Sequence, residues 1–434
     1  MRKFFLPLLL FLTYIYSVNA QIISPGDSIR NFLQIYKYSS ALEIINRRLP
    51  VTQNKEELLY YKGLALKGNI KYSEAINSFS ELLKRNPTHV TALIELGNCY
   101  KMTGDYKRAY SSFLIADSLA PSNYVRNEMA NILYNTEAYD LAAKSYRALL
   151  KEDSLNIYLL RSVARCFDKM SQFDSAMFYY EKAMDQNPYD FHTAYPLCNI
   201  YVRKKSYEKG INITEKFMKV DSTDILMNRM NAYLFLLNKE YPSSLTRFKK
   251  CYRSMDTSVF TIKYLGVSYF KLNIFDTAKI YLEKAFHKDT MDAQTCNFLG
   301  ISCSESYWKK LGIEYLKRSI LLTNPDPVNL SGIYTNLAEA CNGYSKYNDA
   351  LDAYLKAYEL MPNDSLLPYR IAKQYDKWLG NKEQAIKYYT LFLKAKKSAT
   401  DDSTTEKNGR MVISYYSAAK SRIKQLQKEL KKEN

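Results

Sequence analysis

Small residues recur along this 434-residue chain at a nearly fixed interval, and large apolar residues follow them at a fixed offset. The small set is Ala41, Ala75, Ala109, Ala142, Ala176, Gly210, Ser244, Ala278, Gly312, Ala350 and Ala385, spaced 34, 34, 33, 34, 34, 34, 34, 34, 38 and 35 residues apart. Four positions after each stand Ile45, Phe79, Phe113, Tyr146, Tyr180, Thr214, Phe248, Leu282, Leu316, Tyr354 and Tyr389, of which only Thr214 is neither aromatic nor aliphatic. A second small series runs twelve positions before the first, through Gly63, Gly97, Ala130, Ala164, Cys198, Ala232, Gly266, Gly300 and Ala338. An offset of four places two side chains one turn apart on one helical face. A 34-residue period with a small residue at both of two sites predicts two helices per period, A and B, packed closely where the small residues meet. The aromatic fills the space beside that contact, so a bulky residue at Ala176 or Ala350 overpacks it at a cost of about 1–3 kcal/mol.

Turn signals fall where this reading needs them. Thr103-Gly104-Asp105-Tyr106 separates the helices of one unit, while Asn86-Pro87, Ala120-Pro121, Asn187-Pro188 and Met361-Pro362 end units. Proline there stops one helix and lets the next start at a new angle. Two units depart from the pattern. One carries Cys198, Gly210 and Thr214. The other, with Gly312 and Leu316, is followed by Asn324-Pro325-Asp326-Pro327, which accounts for the 38-residue step and marks 323–330 as a longer loop, a pitch change or a hinge.

The segment from Val90 to Pro121 resembles the tetratricopeptide repeat through Leu93, Leu96-Gly97, Tyr100, Gly104, Tyr106, Ala109, Phe113, Ala116 and Pro121. The unit from Glu56 to Pro87 matches at Gly63, Ala75, Phe79 and Pro87, with Lys62 where the pattern has Leu. The resemblance extends over roughly residues 22–399. It implies an all-α, right-handed superhelical solenoid of about eleven helix-turn-helix units, and a protein that binds other proteins. It is specific for fold and says little about the ligand.

Beyond the repeats, residues 400–410 break the pattern and read as a linker. A basic helix over 411–434 follows, with Val412, Tyr416, Ala419, Ile423, Leu426 and Leu430 in heptad spacing. A solenoid must cover its last apolar face, so this helix is expected to cap the array. Dimerisation through a short coiled coil is its other use.

Composition adds location and excludes some chemistry. Met1-Arg2-Lys3, an apolar run from Phe4 to Val18 and Val18-Asn19-Ala20 read as a secretory signal over 1–20, cleaved after Ala20, and so as a periplasmic or secreted protein. An uncleaved segment would leave it membrane-associated; no later stretch reaches the roughly 18 apolar residues of a span. Net charge is +18, or +16 without Arg2 and Lys3. Export argues against nucleic acid as the partner of that charge and leaves acidic proteins, glycans or other anionic polymers of the envelope. Seven cysteines, an odd number, share no Cys-x-x-Cys spacing and fall at core positions of the repeat, where a free thiol serves as a small buried hydrophobe.

No catalytic constellation emerges. His89, His192 and His287 are isolated, and no nucleotide, hydrolase or metalloprotease motif occurs, so neither enzyme activity, metal nor cofactor is expected. Asp-Ser/Thr followed by an apolar residue recurs, with Ser118, Ser154, Ser175, Thr277, Thr290 and Ser365 as candidate O-glycosylation acceptors. This resembles the acceptor pattern of a bacterial O-glycosylation system, although Asp and Ser at such turns also cap helices.

The resemblance places ligands on the concave face lined by A helices. Register puts Asn98, Asn131 and Asn199 at one such position and Asn127, Arg161, Tyr195 and Arg229 one turn earlier. Arg165 interrupts the asparagine series and Arg203 lies a turn further on. Asparagine can donate to and accept from a peptide backbone, and arginine can grip a carboxylate. The expectation is an envelope scaffold holding an extended, acidic or C-terminal peptide, with glycan or anionic-polymer binding as the alternative.

Overall fold

A computed structural model describes residues 25–324, 326–397 and 406–433. The signal read over 1–20 lies outside these residues. Among those described there are 23 helices and no strand. The chain divides into two compact halves, one running to Ile200 and the other from Tyr201.

The helices pair as the 34-residue period requires. The first five repeats are α1 (Pro25–Gln34) with α2 (Tyr38–Arg48), α3 (Glu56–Gly68) with α4 (Tyr72–Arg85), α5 (Val90–Met102) with α6 (Tyr106–Leu119), α7 (Asn123–Asn135) with α8 (Tyr139–Leu150), and α9 (Ile157–Lys169) with α10 (Phe173–Gln186). The sixth is α11 (Phe191–Arg203) with α12 (Tyr207–Met218). The division between halves falls inside α11, whose interior holds Pro196.

The remaining repeats are α13 (Ile225–Leu237) with α14 (Tyr241–Arg253), α15 (Val259–Lys271) with α16 (Phe275–Lys288), α17 (Ala293–Glu305) with α18 (Lys309–Leu322), α19 (Pro327–Gly343) with α20 (Tyr347–Leu360), and α21 (Leu367–Lys377) with α22 (Lys382–Lys397). A final helix, α23 (Glu406–Glu433), follows. Within each half, successive helices pack side by side. A helices also touch the A helix of the next repeat, as α3 does α5 and α15 does α17.

The register of small residues is the register of closest approach. Ala41, Ala75, Ala109, Ala142, Ala176, Ala278, Ala350 and Ala385 are all fully buried. A Cβ added to Gly63 would lie 2.5 Å from the ring of Phe79, and one added to Gly97 would lie 2.9 Å from that of Phe113. These glycines therefore mark where helix A rests on its partner's aromatic. Thr214, the exception, is buried too. Its hydroxyl donates to the Gly210 carbonyl and accepts from Asn231 Nδ2 at 2.9 Å, so a polar pair replaces the ring.

Ten of the eleven A–B turns contain a left-handed residue two positions before helix B. These are Tyr36, Ile70, Gly104, Glu137, Ser171, Lys205, Lys239, Asn273, Ser345 and Gly380, with φ between 57° and 79°. Only two are glycine, so most of the turns carry some strain. The ninth repeat differs: Tyr307, at the same place before α18, is not left-handed.

The two long steps have local causes. The four residues added before α19 become helix, giving it 17 residues against 13 in α17. Four residues make about one turn, so the face of α19 is preserved. Asp326 caps the added turn by accepting from the Val328 amide, and Pro327 occupies its start. In the last repeat the buried small residue of helix A is Ala372, 13 positions before Ala385, and the extra residue sits in the turn holding Gly380.

The terminal helix begins at Glu406, within the stretch 400–410 read as a linker; residues 400–405 lie outside those described. Ala419 and Leu426 are buried, at 0% and 1% exposure, against Ala372, Tyr389 and Phe392, with Ile423 beside them. Arg422 grips Asp376 of α21 with two nitrogens at 2.9 and 2.8 Å. The heptad stripe is thus occupied by the last repeat of its own chain. Val412 belongs to the same stripe, but its side chain lies outside those described.

Candidate functional site

All seven cysteines are free and buried. Burial pushes the Cys99 and Cys251 thiols up to about 11, and those of Cys166, Cys198 and Cys303 up to about 12. A protonated, enclosed thiol is neither nucleophile nor metal ligand at neutral pH. Among the described residues no group of three His, Cys, Asp or Glu side chains could hold a metal ion, and no helix is long and apolar enough to cross a membrane.

The A-helix face of the N-terminal half brings several of the expected residues together. Asn131 of α7 accepts at Oδ1 from the Tyr146 hydroxyl at 2.6 Å and from the Tyr158 hydroxyl at 2.8 Å. Its amide is therefore fixed with the NH2 group turned away from the tyrosines, only 3.5 Å from Glu128. Arg165 of α9 lies over the Tyr134 ring at 4.5 Å. Burial draws its guanidinium pKa down, but Tyr134 and neighbouring hydroxyls outweigh that and hold it above its ordinary value. Asn131 and Arg165 line one cleft of about 360 Å³ with Lys101, Tyr134, Tyr146 and Ser162.

Asn127 stands one turn before Asn131 on α7, and its Oδ1 is buried without a hydrogen-bond partner. A buried acceptor left unpaired costs about 1–3 kcal/mol. Asn98 accepts from the Tyr124 hydroxyl at 3.4 Å. On α11, Tyr195 stacks on Phe191 with centroids 5.5 Å apart, and the exposed Asn199 donates to the Tyr195 carbonyl.

Two other arginines of the series have structural work. Arg161 pairs with Asp190 at the head of α11, at 2.9 Å, with both side chains mostly covered. Arg229, in the C-terminal half, donates to Ser258 Oγ at 3.2 Å and lies 3.7 Å from Asp256. Arg203, also in that half, is exposed.

Arg161 and Arg229 belong to a wider device that sequence reading missed. A cation on one A helix reaches a carboxylate on or just before the next, 27 to 29 residues on. The pairs are Arg30–Glu57, Lys67–Glu95, Lys101–Glu128, Arg161–Asp190, Arg229–Asp256 and Lys263–Asp292. Burial would raise the Asp256 carboxyl pKa, but hydrogen bonds from Thr261 and Ser258 and the charge of Arg229 hold it below the usual range. Lys263 and Thr295 overcome burial at Asp292 in the same way.

The candidate acceptor hydroxyls divide by exposure. Ser118, Ser154, Thr290 and Ser365 are exposed; Ser175 and Thr277 are half-buried in the first turns of α10 and α16. Ser118 donates to the Ile115 carbonyl at 2.7 Å. The neighbouring aspartates Asp117, Asp289 and Asp364 accept backbone N–H groups at their turns, as capping requires.

Residues 60–124 and 368–395 match models of the tetratricopeptide repeat. The chain is 26% identical over 160 residues to a probable UDP-N-acetylglucosamine–peptide N-acetylglucosaminyltransferase, SPINDLY, of Hordeum vulgare, a match covering 35% of this chain and 17% of that protein. It is 31% identical over 105 residues to Hsp70-Hsp90 organizing protein 3 of Arabidopsis thaliana, covering 24% of this chain and 18% of that protein. The chain thus spans less than a fifth of the length of these two relatives. Among solved structures, a tetratricopeptide repeat protein from Parabacteroides merdae is 19% identical, covering 58% of this chain and 99% of that one, with a TM-score of 0.42. Tetratricopeptide repeat proteins are in general protein–protein interaction scaffolds.

Proposed function

We propose that this chain, which belongs to the tetratricopeptide repeat proteins, is a non-enzymatic scaffold of the cell envelope that holds a peptide segment of a partner across α5, α7 and α9. The observation that carries the reading is the pairing of an oriented amide and a held guanidinium in one cleft. Two tyrosines occupy the Asn131 oxygen and Glu128 takes one of its N–H groups, which leaves the other as a donor, and Arg165 is propped on Tyr134 with its charge intact. Donors on both sides of a cleft suit backbone carbonyls and a carboxylate. An extended peptide offers both. The envelope location rests on the signal read in residues 1–20 and on the basic charge.

Arg161 and Arg229 serve this reading by holding successive A helices in place rather than by touching the ligand. A photo-crosslinking residue at position 127, introduced into protein expressed in its native host, tests the site. Discrete adducts should form from position 127 and not from Ser111, exposed on α6. Equal labelling from both positions, or none from 127, contradicts the assignment.

A further inference from the structure

A second cleft of the N-terminal half lies between the second helices α8 and α10, away from the Asn131 site. It encloses about 700 Å³ over a floor from α9. Leu150, Leu160, Phe167 and Tyr179 give it an apolar lining, and the last two rings stack with centroids 5.7 Å apart and planes 13° from parallel. One residue of the lining stands out against the repeat. Ala143 follows the small residue Ala142, and at the same place the other ten repeats carry Leu42, Ile76, Tyr110, Met177, Ile211, Leu245, Lys279, Ile313, Leu351 and Ile386. Only this repeat gives up a long side chain there.

The rim is as unusual as the floor. Lys144, Arg147 and Lys151 are spaced three and four residues apart, so they form one stripe along α8, and Lys182 faces them from α10. All four are exposed, and among the described residues none makes an ion pair, although Lys182 rests on the Phe178 ring at 4.6 Å. Asp140 is the one carboxylate in the lining.

We infer that this cleft binds a small anionic amphiphile, with its apolar body over Ala143 and its acidic head among Lys144, Arg147, Lys151 and Lys182. Charge complementarity selects the head, since four cations face one carboxylate. The apolar floor selects the body. The volume lies within the roughly 300–1,000 Å³ of small-molecule sites. Confinement to the junction of two repeats argues against an extended macromolecule, which would need the same features repeated along its path.

The test uses the full chain and soluble single-chain probes below their micellar concentrations, followed by native mass spectrometry and calorimetry. Laurate and dodecyl phosphate, which differ only in the acid, should each bind one per chain; a preference between them names the head group. Dodecanol and inorganic phosphate, each lacking half of the required chemistry, should bind at least tenfold more weakly. Ala143→Leu restores the side chain that three other repeats carry and should abolish binding. The double variant Arg147→Glu/Lys151→Glu changes only exposed side chains and should weaken binding at least tenfold with unchanged helicity. Should Ala143→Leu fail to fold, the double variant decides. The proposal is overturned if the double variant binds the probes as the wild type does. It is equally overturned if neither probe binds, whether or not an acidic peptide is held through Arg147 and Lys151.

Discussion

Ile70 shows at one residue how the repeat sets conformation against preference. Its β-branched side chain sits at φ 63° in the turn before α4, where Gly104 and Gly380 occupy the equivalent turns of other repeats. The left-handed region costs an L-residue roughly 1–2 kcal/mol, and Ile70 is 72% exposed, so no burial offsets it. Ile70→Gly should therefore stabilise the fold by about 1 kcal/mol, allowing for the entropy glycine adds to the unfolded chain. A denaturant melt showing a lower midpoint would refute this. Such turns were only partly legible in the sequence. Gly104 announces itself, but Ile70, Glu137 and Ser171 carry no signal of their own and take that conformation because the helices on either side demand it. Ala143 is a different case. Its signal was present in the register and becomes visible only when the position after the small residue is compared across all eleven repeats.

At the scale of elements, the spacing of small and aromatic residues predicted helix pairs, and the helices fall where it put them. The stretch 323–330 was read as a loop, a pitch change or a hinge; its residues 327–330 form an added first turn of α19, capped by Asp326. What spacing could not reveal was how A helices are tied to one another. Arg161 and Arg229 sit at positions that face ligand in the resembling family, yet each finds a carboxylate 27 to 29 residues on. Sequence register places a residue on a face without fixing the direction of a long side chain. These ties predict a pH dependence. Asp256 and Asp292 have depressed pKa values, so their contribution to stability is complete above the ordinary carboxylate range and is lost as pH falls through their folded values. Thermal melts of wild type and of Asp256→Asn/Asp292→Asn should differ most near neutrality, with the gap closing below about pH 4. A gap independent of pH would show that the charges on these groups contribute nothing.

Across the whole molecule, eleven repeats supply faces that no single repeat provides, and the terminal helix α23 seals the last of them with Ala419 and Leu426. The fold was legible because a repeat states its packing rule many times over. The proposed site lies on a face that register singled out, through Asn127, Asn131 and Arg165, but how that face is built was not legible. Tyr146 was visible as a core aromatic; that its hydroxyl fixes the Asn131 amide depends on geometry across two helices. The central claim is that this amide and Arg165 together hold a peptide carboxylate or acidic segment. The most direct measurement is fluorescence anisotropy of a peptide library with free or amidated C-termini, titrated with wild type and Arg165→Glu. Wild type should select acidic peptides with free C-termini, and Arg165→Glu should lose about tenfold or more in affinity at unchanged helicity, the scale of one charge-assisted contact. Equal affinity of wild type and Arg165→Glu for the selected peptides would contradict the account.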